Sequence, residues 1–266
     1  MIRLIVLFAL TGLLAQAAIP PQPAEGDNFH PAGYDYSCYA EPLDVPAEFC
    51  GALEFINGEL YAFTSWDRGA YRLNPDTELF TLAREEVPLG VRGAHWDGEV
   101  LWLTDHSASL YRYDGEFNSL QDWGEPYGER WYIELPSWQQ SGILRLGEKF
   151  LLVDELGVIY LWRLGEEREH GEWIVGRVEE LVFDGVYIWM LSYRGVLKLT
   201  TEGIIIGRIP LPAEEGFASG LAWDGKFLWL SMNHDNAPQV WKLDLERAKL
   251  LTLNELPEDR RDAVEY

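Results

Sequence analysis

Gly220-Leu221-Ala222-Trp223-Asp224-Gly225-Lys226-Phe227-Leu228-Trp229-Leu230-Ser231 is the stretch whose reading decides the fold. It reads as a strand, a tight Asp-Gly turn and a second strand heavy in large apolar side chains. Variants of the phrase begin at Gly51, Gly93, Gly142 and Glu180. Gly93-Ala94-His95-Trp96-Asp97-Gly98 leads into Val100-Leu101-Trp102-Leu103, and Glu180-Leu181-Val182-Phe183-Asp184-Gly185 leads into Tyr187-Ile188-Trp189-Met190-Leu191. In the first block, Asn57-Gly58 replaces Asp-Gly as the turn. Two further alternating runs follow each pair. In the fifth block these are Val240-Trp241-Lys242-Leu243 and Leu250 to Leu253. The starts lie roughly 40–50 residues apart, the length that four short strands and their turns require. Period-two alternation and strand-forming residues exclude helical repeats. The fold class expected is all-β: a five-bladed β-propeller with four-stranded blades, six blades being the alternative. Asp35 to Phe49 offers one or two strands that could complete the ring against the last blade, because an open ring leaves unpaired strand edges.

The rest of the chain divides around this array. Met1-Ile2-Arg3 is followed by an apolar run to Leu14 and by Ala15-Gln16-Ala17. That is the pattern of a secretory signal peptide over residues 1–17, with a mature start at Ala18. Residues 18–33 read as a Pro-rich spacer, 34–256 as one propeller domain and 257–266 as an acidic, polar tail. Export predicts a periplasmic or extracellular protein, off the membrane once the signal is removed, and a monomer. Cys38 and Cys50, the two cysteines, would meet an oxidising compartment and read as one disulfide closing a short loop. Such a bond would contribute about 2–3 kcal/mol.

Forty-four acidic against 21 basic residues give a formal net charge of −23. Nucleic acid, which demands the opposite sign, is excluded as a partner. A small-molecule or peptide ligand, or a protein partner, is left. In a propeller, the approach to each innermost strand and the loop between the second and third strands share one face. Those loops place Trp66, Asp67 and Arg68, then Asp105 and His106, then Asp154 and Glu155, then Tyr193 and Arg194, then Asn233 and His234 around one mouth, with Glu48-Phe49, Arg92 and Phe217 on the approaches. Asp105, His106 and Glu48 are the candidates for proton transfer. Trp66, Asp67, Arg68, Arg92, Asp154, Glu155, Tyr193, Arg194, Asn233 and His234 are the candidates for ligand binding, with the arginines suited to a carboxylate. No metal ligand set is assigned. The expectation is no cofactor, with calcium as the alternative, because Asp, Asn and Glu are hard oxygen donors.

The fifth block, continuing into Val240-Trp241-Lys242-Leu243-Asp244, resembles the repeat of the glutamine cyclotransferase-like propellers. It is also similar to the broader group with gluconolactonase-like and streptogramin lyase-like members. The resemblance spans roughly residues 50 to 253 and is sharpest in the fifth block. It implies a secreted five-bladed propeller. It also implies, if activity is shared, cyclisation of an N-terminal glutamine with release of ammonia, using an acid near the channel mouth and no metal. The lactonase-like branch implies instead a calcium site, for which Glu180, Asn233 and Asp105 are the residues on offer; a lyase would use His106 or His234. Phe49-Cys50-Gly51-Ala52-Leu53 lacks the acid that the cyclase pattern carries there. The functional expectation is therefore a binding or scaffold propeller, with the glutaminyl-peptide cyclotransferase or a metal-dependent lactonase-like hydrolase as the enzymatic alternatives.

Overall fold

The computed structural model describes residues 30–107, 109–120, 125–127, 130–135, 140–154, 158–163, 169–174, 177–193, 195–235 and 237–252. The expected signal peptide, most of the expected spacer and the expected acidic tail lie outside the described residues. A short N-terminal strand, β1 (Leu43–Asp44), precedes five antiparallel sheets. Blade 1 is β2 (Cys50–Ile56), β3 (Glu59–Thr64), β4 (Ala70–Asn74) and β5 (Leu79–Arg84). Blade 2 is β6 (Val91–Trp96), β7 (Leu101–Asp105), β8 (Ser109–Tyr113) and β10 (Arg130–Glu134), with β9 (Glu125–Tyr127) added outside β10. Blade 3 is β11 (Gln140–Leu146), β12 (Lys149–Asp154), β13 (Val158–Arg163) and β14 (Glu169–Ile174). Blade 4 is β15 (Val178–Phe183), β16 (Ile188–Ser192), β17 (Gly195–Leu199) and β18 (Ile205–Ile209). Blade 5 is β19 (Phe217–Trp223), β20 (Leu228–His234) and β21 (Ala237–Leu243), completed by β1. The inner strands β2, β6, β11, β15 and β19 contact one another around the axis, so the protein is a five-bladed β-propeller.

The turn chemistry works as the repeated phrase predicts. Asp224 Oδ1 accepts from the Lys226 and Phe227 amides, and its Oδ2 accepts from the Trp229 indole N–H at 2.8 Å. Asp97 and Asp184 repeat both roles, with Trp102 and Trp189. A cation completes each unit from the cross-strand position. Arg112 lies opposite Trp102, Lys198 opposite Trp189 and Lys242 opposite Trp229, each with its charge over the indole. In blade 1, Asn57 and Gly58 both have positive φ, the geometry a two-residue hairpin turn requires. The core is divided among the blade interfaces. Phe63, Leu101 and Leu103 fill the junction of blades 1 and 2, and Ile143, Phe150 and Trp162 that of blades 2 and 3. Large aromatic side chains take much of this space, among them Phe63, Trp102, Phe150 and Trp162.

Closure comes from the N-terminus. β1 pairs with β21, Leu43 opposite Val240, so the last blade takes its outer strand from the start of the propeller. Of the run Leu250 to Leu253, expected in that place, the described residues 250–252 instead leave blade 5. Leu251 exchanges two backbone hydrogen bonds with Arg208 at the edge of blade 4. The end of the spacer is tied down too, His30 Nδ1 lying 2.8 Å from the Leu211 carbonyl.

The expected disulfide between Cys38 and Cys50 is not formed. Both are buried free thiols. Cys38 lies beyond the outer side of β21, its carbonyl accepting from Asp244, whereas Cys50 opens the inner strand of blade 1. The chain between them crosses the width of blade 5. Two strand spacings amount to about 10 Å, beyond the reach of a disulfide. Desolvation raises both thiols, that of Cys50 to about 12.

Candidate functional site

Every inner strand carries a β-bulge near its start, which skips Gly51, Arg92, Ser141, Glu179 and Ser219 in turn. The bulge sets the true repeat register. Ala52, rather than Gly51, is equivalent to Gly93, Gly142, Glu180 and Gly220. Small residues suit this position because the inner strands converge there. A Cβ on Gly142 would come within 2.9 Å of the Glu180 backbone, and one on Gly93 within 3.0 Å of Gly142. Glu180 is the exception. Its side chain fills the axial space that the small residues leave.

The environment of Glu180 is set by the edges of the sheets. Inner strands present amides to the axis that no ladder partner takes. Glu180 Oε1 accepts from the Ile143 amide at 3.3 Å and from its own neighbour Leu181 at 3.1 Å. Oε2 accepts from Ala94 at 3.3 Å. One carboxyl group thus ties blades 2, 3 and 4 together. It is fully buried, and desolvation, reinforced by the nearby Glu54 carboxylate, raises it well above the ordinary glutamate range. Glu54 does similar work between blades 1 and 2, accepting from Phe55 and Trp96, with His95 Nδ1 3.7 Å away. These groups occupy the interior of the channel.

The mouth lies above them, on the face of the loops between second and third strands. Phe49 and Phe217 face each other there, ring centres 5.8 Å apart. The Arg92 guanidinium lies 5.2 Å from the Phe49 ring centre and 5.7 Å from that of Phe217. Arg177 lies 4.7 Å from Phe217 on its own account. Arg92 Nε donates to His106 Nε2 at 2.6 Å, and Arg177 Nε donates to Glu179 at 2.6 Å. Two cations and two phenyl rings therefore converge at one end of a strongly acidic molecule. All four side chains are half-buried.

The other expected site residues separate into distinct roles. Asp105 is buried and accepts from the Tyr111 hydroxyl at 2.7 Å and from the Ser107 and Ser109 amides. Desolvation outweighs these bonds and raises its carboxyl. Asp154 makes the same pair with Tyr160 and takes the Val158 amide. Asp67 accepts from Tyr71, and Arg68 Nε donates to the Val87 carbonyl. These groups shape the loops of blades 1 to 3. Asn233 joins blades 5 and 1, accepting from the Cys50 amide at 2.8 Å and donating to the Cys50 carbonyl at 3.0 Å. His234 is exposed between Glu215 and Asp235, each 3.3 Å away. Trp66 is 66% exposed at the loop tip, Glu48 is exposed, and Tyr193 is half-buried in its loop. Glu155 and Arg194 lie outside the described residues. Sequence reading named Arg92, Phe49 and Phe217 at the mouth but passed over Arg177, which the bulge register makes the blade 4 equivalent of Phe49 and Phe217, three residues before the axial position.

Among the described residues, no three His, Cys, Asp or Glu side chains come together as a metal site. Glu180, Asn233 and Asp105 each bond to separate partners rather than to a common point.

No family model matches this chain, and no curated protein matches it either. Solved structures do share its fold. A glutaminyl cyclase from Myxococcus xanthus superposes with a TM-score of 0.57 at 13% identity, over 80% of this chain and 96% of the other. A putative gluconolactonase gives 0.51 at 15% identity, over 85% and 96%. A chain of a nidogen/laminin complex gives 0.51 at 15% identity, over 77% and 79%. A glutaminyl cyclase and a chain of a nidogen/laminin complex share this architecture, so the likeness concerns the propeller and not its chemistry.

Proposed function

We propose that this is an exported binding propeller that takes a small molecule or peptide at the mouth of its channel. The observation that carries the reading is the convergence of Arg92 over Phe49 and Phe217 and of Arg177 over Phe217. Cation and ring surfaces together suit a ligand with an acidic group beside an apolar one, such as a peptide carboxylate. Export rests on the N-terminal signal pattern. The working test is a thermal-shift screen of small carboxylates and short peptides against mature protein. Binding stabilises the native state by mass action, so hits appear as a raised melting temperature. Hits should be lost on Phe217→Ala and on Arg92→Met. Hits that survive both substitutions would move the site elsewhere.

A second reading, cyclisation of an N-terminal glutamine, draws on the raised carboxyl of Asp105 beside His106. In that chemistry Asp105 would shuttle a proton as the terminal amine attacks the side-chain carbonyl, forming the ring C–N bond and expelling ammonia. Ammonia release from a glutaminyl peptide, insensitive to chelator and lost on Asp105→Asn, would favour it. No release at high protein concentration would leave the binding reading alone.

A further inference from the structure

The turns between first and second strands lie on the face opposite the channel mouth. There, the second-strand tryptophan of a blade meets the residue that sits three beyond the small position on the next inner strand. Trp229 of blade 5 meets Phe55 of blade 1, ring centres 6.1 Å apart. Trp102 of blade 2 meets Arg145 of blade 3 at 5.5 Å and Phe150 at 4.8 Å. The same register places Trp223 of blade 5 opposite Trp189 of blade 4. The interior of this junction is filled by Val182, Leu191, Leu221 and Leu230. At its rim opens a cleft of about 260 Å³, lined by Trp189, Trp223, Tyr187, Lys198, Leu245 and Leu250 among others.

The charges of this cleft point to its ligand. Asp184, its acid, is satisfied by the Val186 and Tyr187 amides and by the Trp189 indole. Lys198, its cation, is held over rings, Nζ lying 3.8 Å from the centre of Tyr187 and 5.1 Å from that of Trp189. No carboxylate among the described residues lies in ion-pair range of it. The walls are aromatic and aliphatic. The volume falls just below the roughly 300–1,000 Å³ of drug-sized sites, room for a single ring and a short arm.

We infer that the cleft between blades 4 and 5 binds a small aromatic carboxylate, its ring between Trp189 and Trp223 and its carboxylate on Lys198. A neutral ring would gain the same walls and nothing from the ammonium. The site is separate from the channel mouth, so it stands or falls independently of the proposed function.

The test is ligand-observed NMR titration of the mature full chain with phenylacetate and with its neutral isostere phenylacetamide. Phenylacetate should bind with a Kd of about 1 mM or tighter, and phenylacetamide about fivefold more weakly or worse. Lys198→Met keeps the apolar stem and should erase the difference between the two probes. Trp223→Ala should weaken both, while Phe217→Ala at the mouth should change neither. Equal binding of the two probes, or phenylacetate binding indifferent to Lys198→Met, would overturn the inference. So would the absence of any saturable signal at about 20 mM phenylacetate, a concentration well above the expected Kd. Lys198 is on the surface and partly exposed, so its variant remains informative even if Trp223→Ala does not fold.

Discussion

Glutamine at position 180 separates two properties of the axial carboxyl group, its hydrogen bonds and its proton. The replacement keeps the shape but exchanges one acceptor oxygen for an NH₂ donor. Ile143 and Leu181 share Oε1, so a glutamine oxygen there can serve both. The Ala94 amide, now served by Oε2, would face a donor. A buried amide left without its acceptor costs about 1–3 kcal/mol. The wild-type carboxyl carries an opposing term. An unfolded glutamate titrates near about 4.3, whereas burial raises the folded group well above its ordinary range. Between those two values the folded chain holds one more proton than the unfolded chain. The wild-type contribution is therefore complete below about pH 4.3 and is lost as pH rises toward the folded value, at about 1.4 kcal/mol per pH unit. Glutamine does not titrate. Urea unfolding at intervals from pH 5 to pH 8 should show Glu180→Gln less stable than wild type at the acid end, the gap shrinking as pH rises. Glu54→Gln, which removes the neighbouring negative charge, should make the wild-type slope shallower. A gap that stays constant or widens across this range would refute the account of a buried, proton-holding Glu180.

Other consequences are local. Asp224→Ala deletes two turn bonds and the indole bond of Trp229 and should destabilise the native state by about 2–3 kcal/mol in urea unfolding; a loss under half a kcal/mol would show that the turn holds without it. A thiol reagent at pH 8 should find no reactive cysteine in native protein and two after denaturation, with no mass change on reduction, because burial raises both thiols. Pro in place of Leu43 removes the pairing amide of the closing strand and should lower cooperativity and stability together, read from both the urea midpoint and its slope. N-terminal sequencing of exported protein should begin at Ala18.

The elements legible in the sequence were those whose causes are local. Asp97, Asp184 and Asp224 act on amides two and three residues ahead and on an indole five ahead, so a short phrase contains the whole device. Alternation along each run is equally local, and it revealed the blades. The mouth was partly legible for the same reason. The approaches to the inner strands recur near fixed places in each repeat, which brought Arg92, Phe49 and Phe217 into view. Repetition misled where a blade carries a different kind of residue at a shared position: Arg177 stands where blades 1 and 5 carry Phe49 and Phe217, and Glu180 where the other four blades carry a small residue.

What the chain determined by itself was therefore the repeated unit, its turns and the sign of its surface. The tertiary structure decided everything that depends on residues far apart in the chain. Glu180 meets Ala94 across 86 residues, and Asn233 meets Cys50 across 183. The cysteines, twelve apart, are held apart by a blade that the N-terminal strand must first cross to close the ring. Short-range order follows from turn geometry and strand alternation, which each segment carries within it. Ring closure, an axial carboxyl group and a cleft between two tryptophans exist only once all five blades have met, because each is made from surfaces that no single blade possesses.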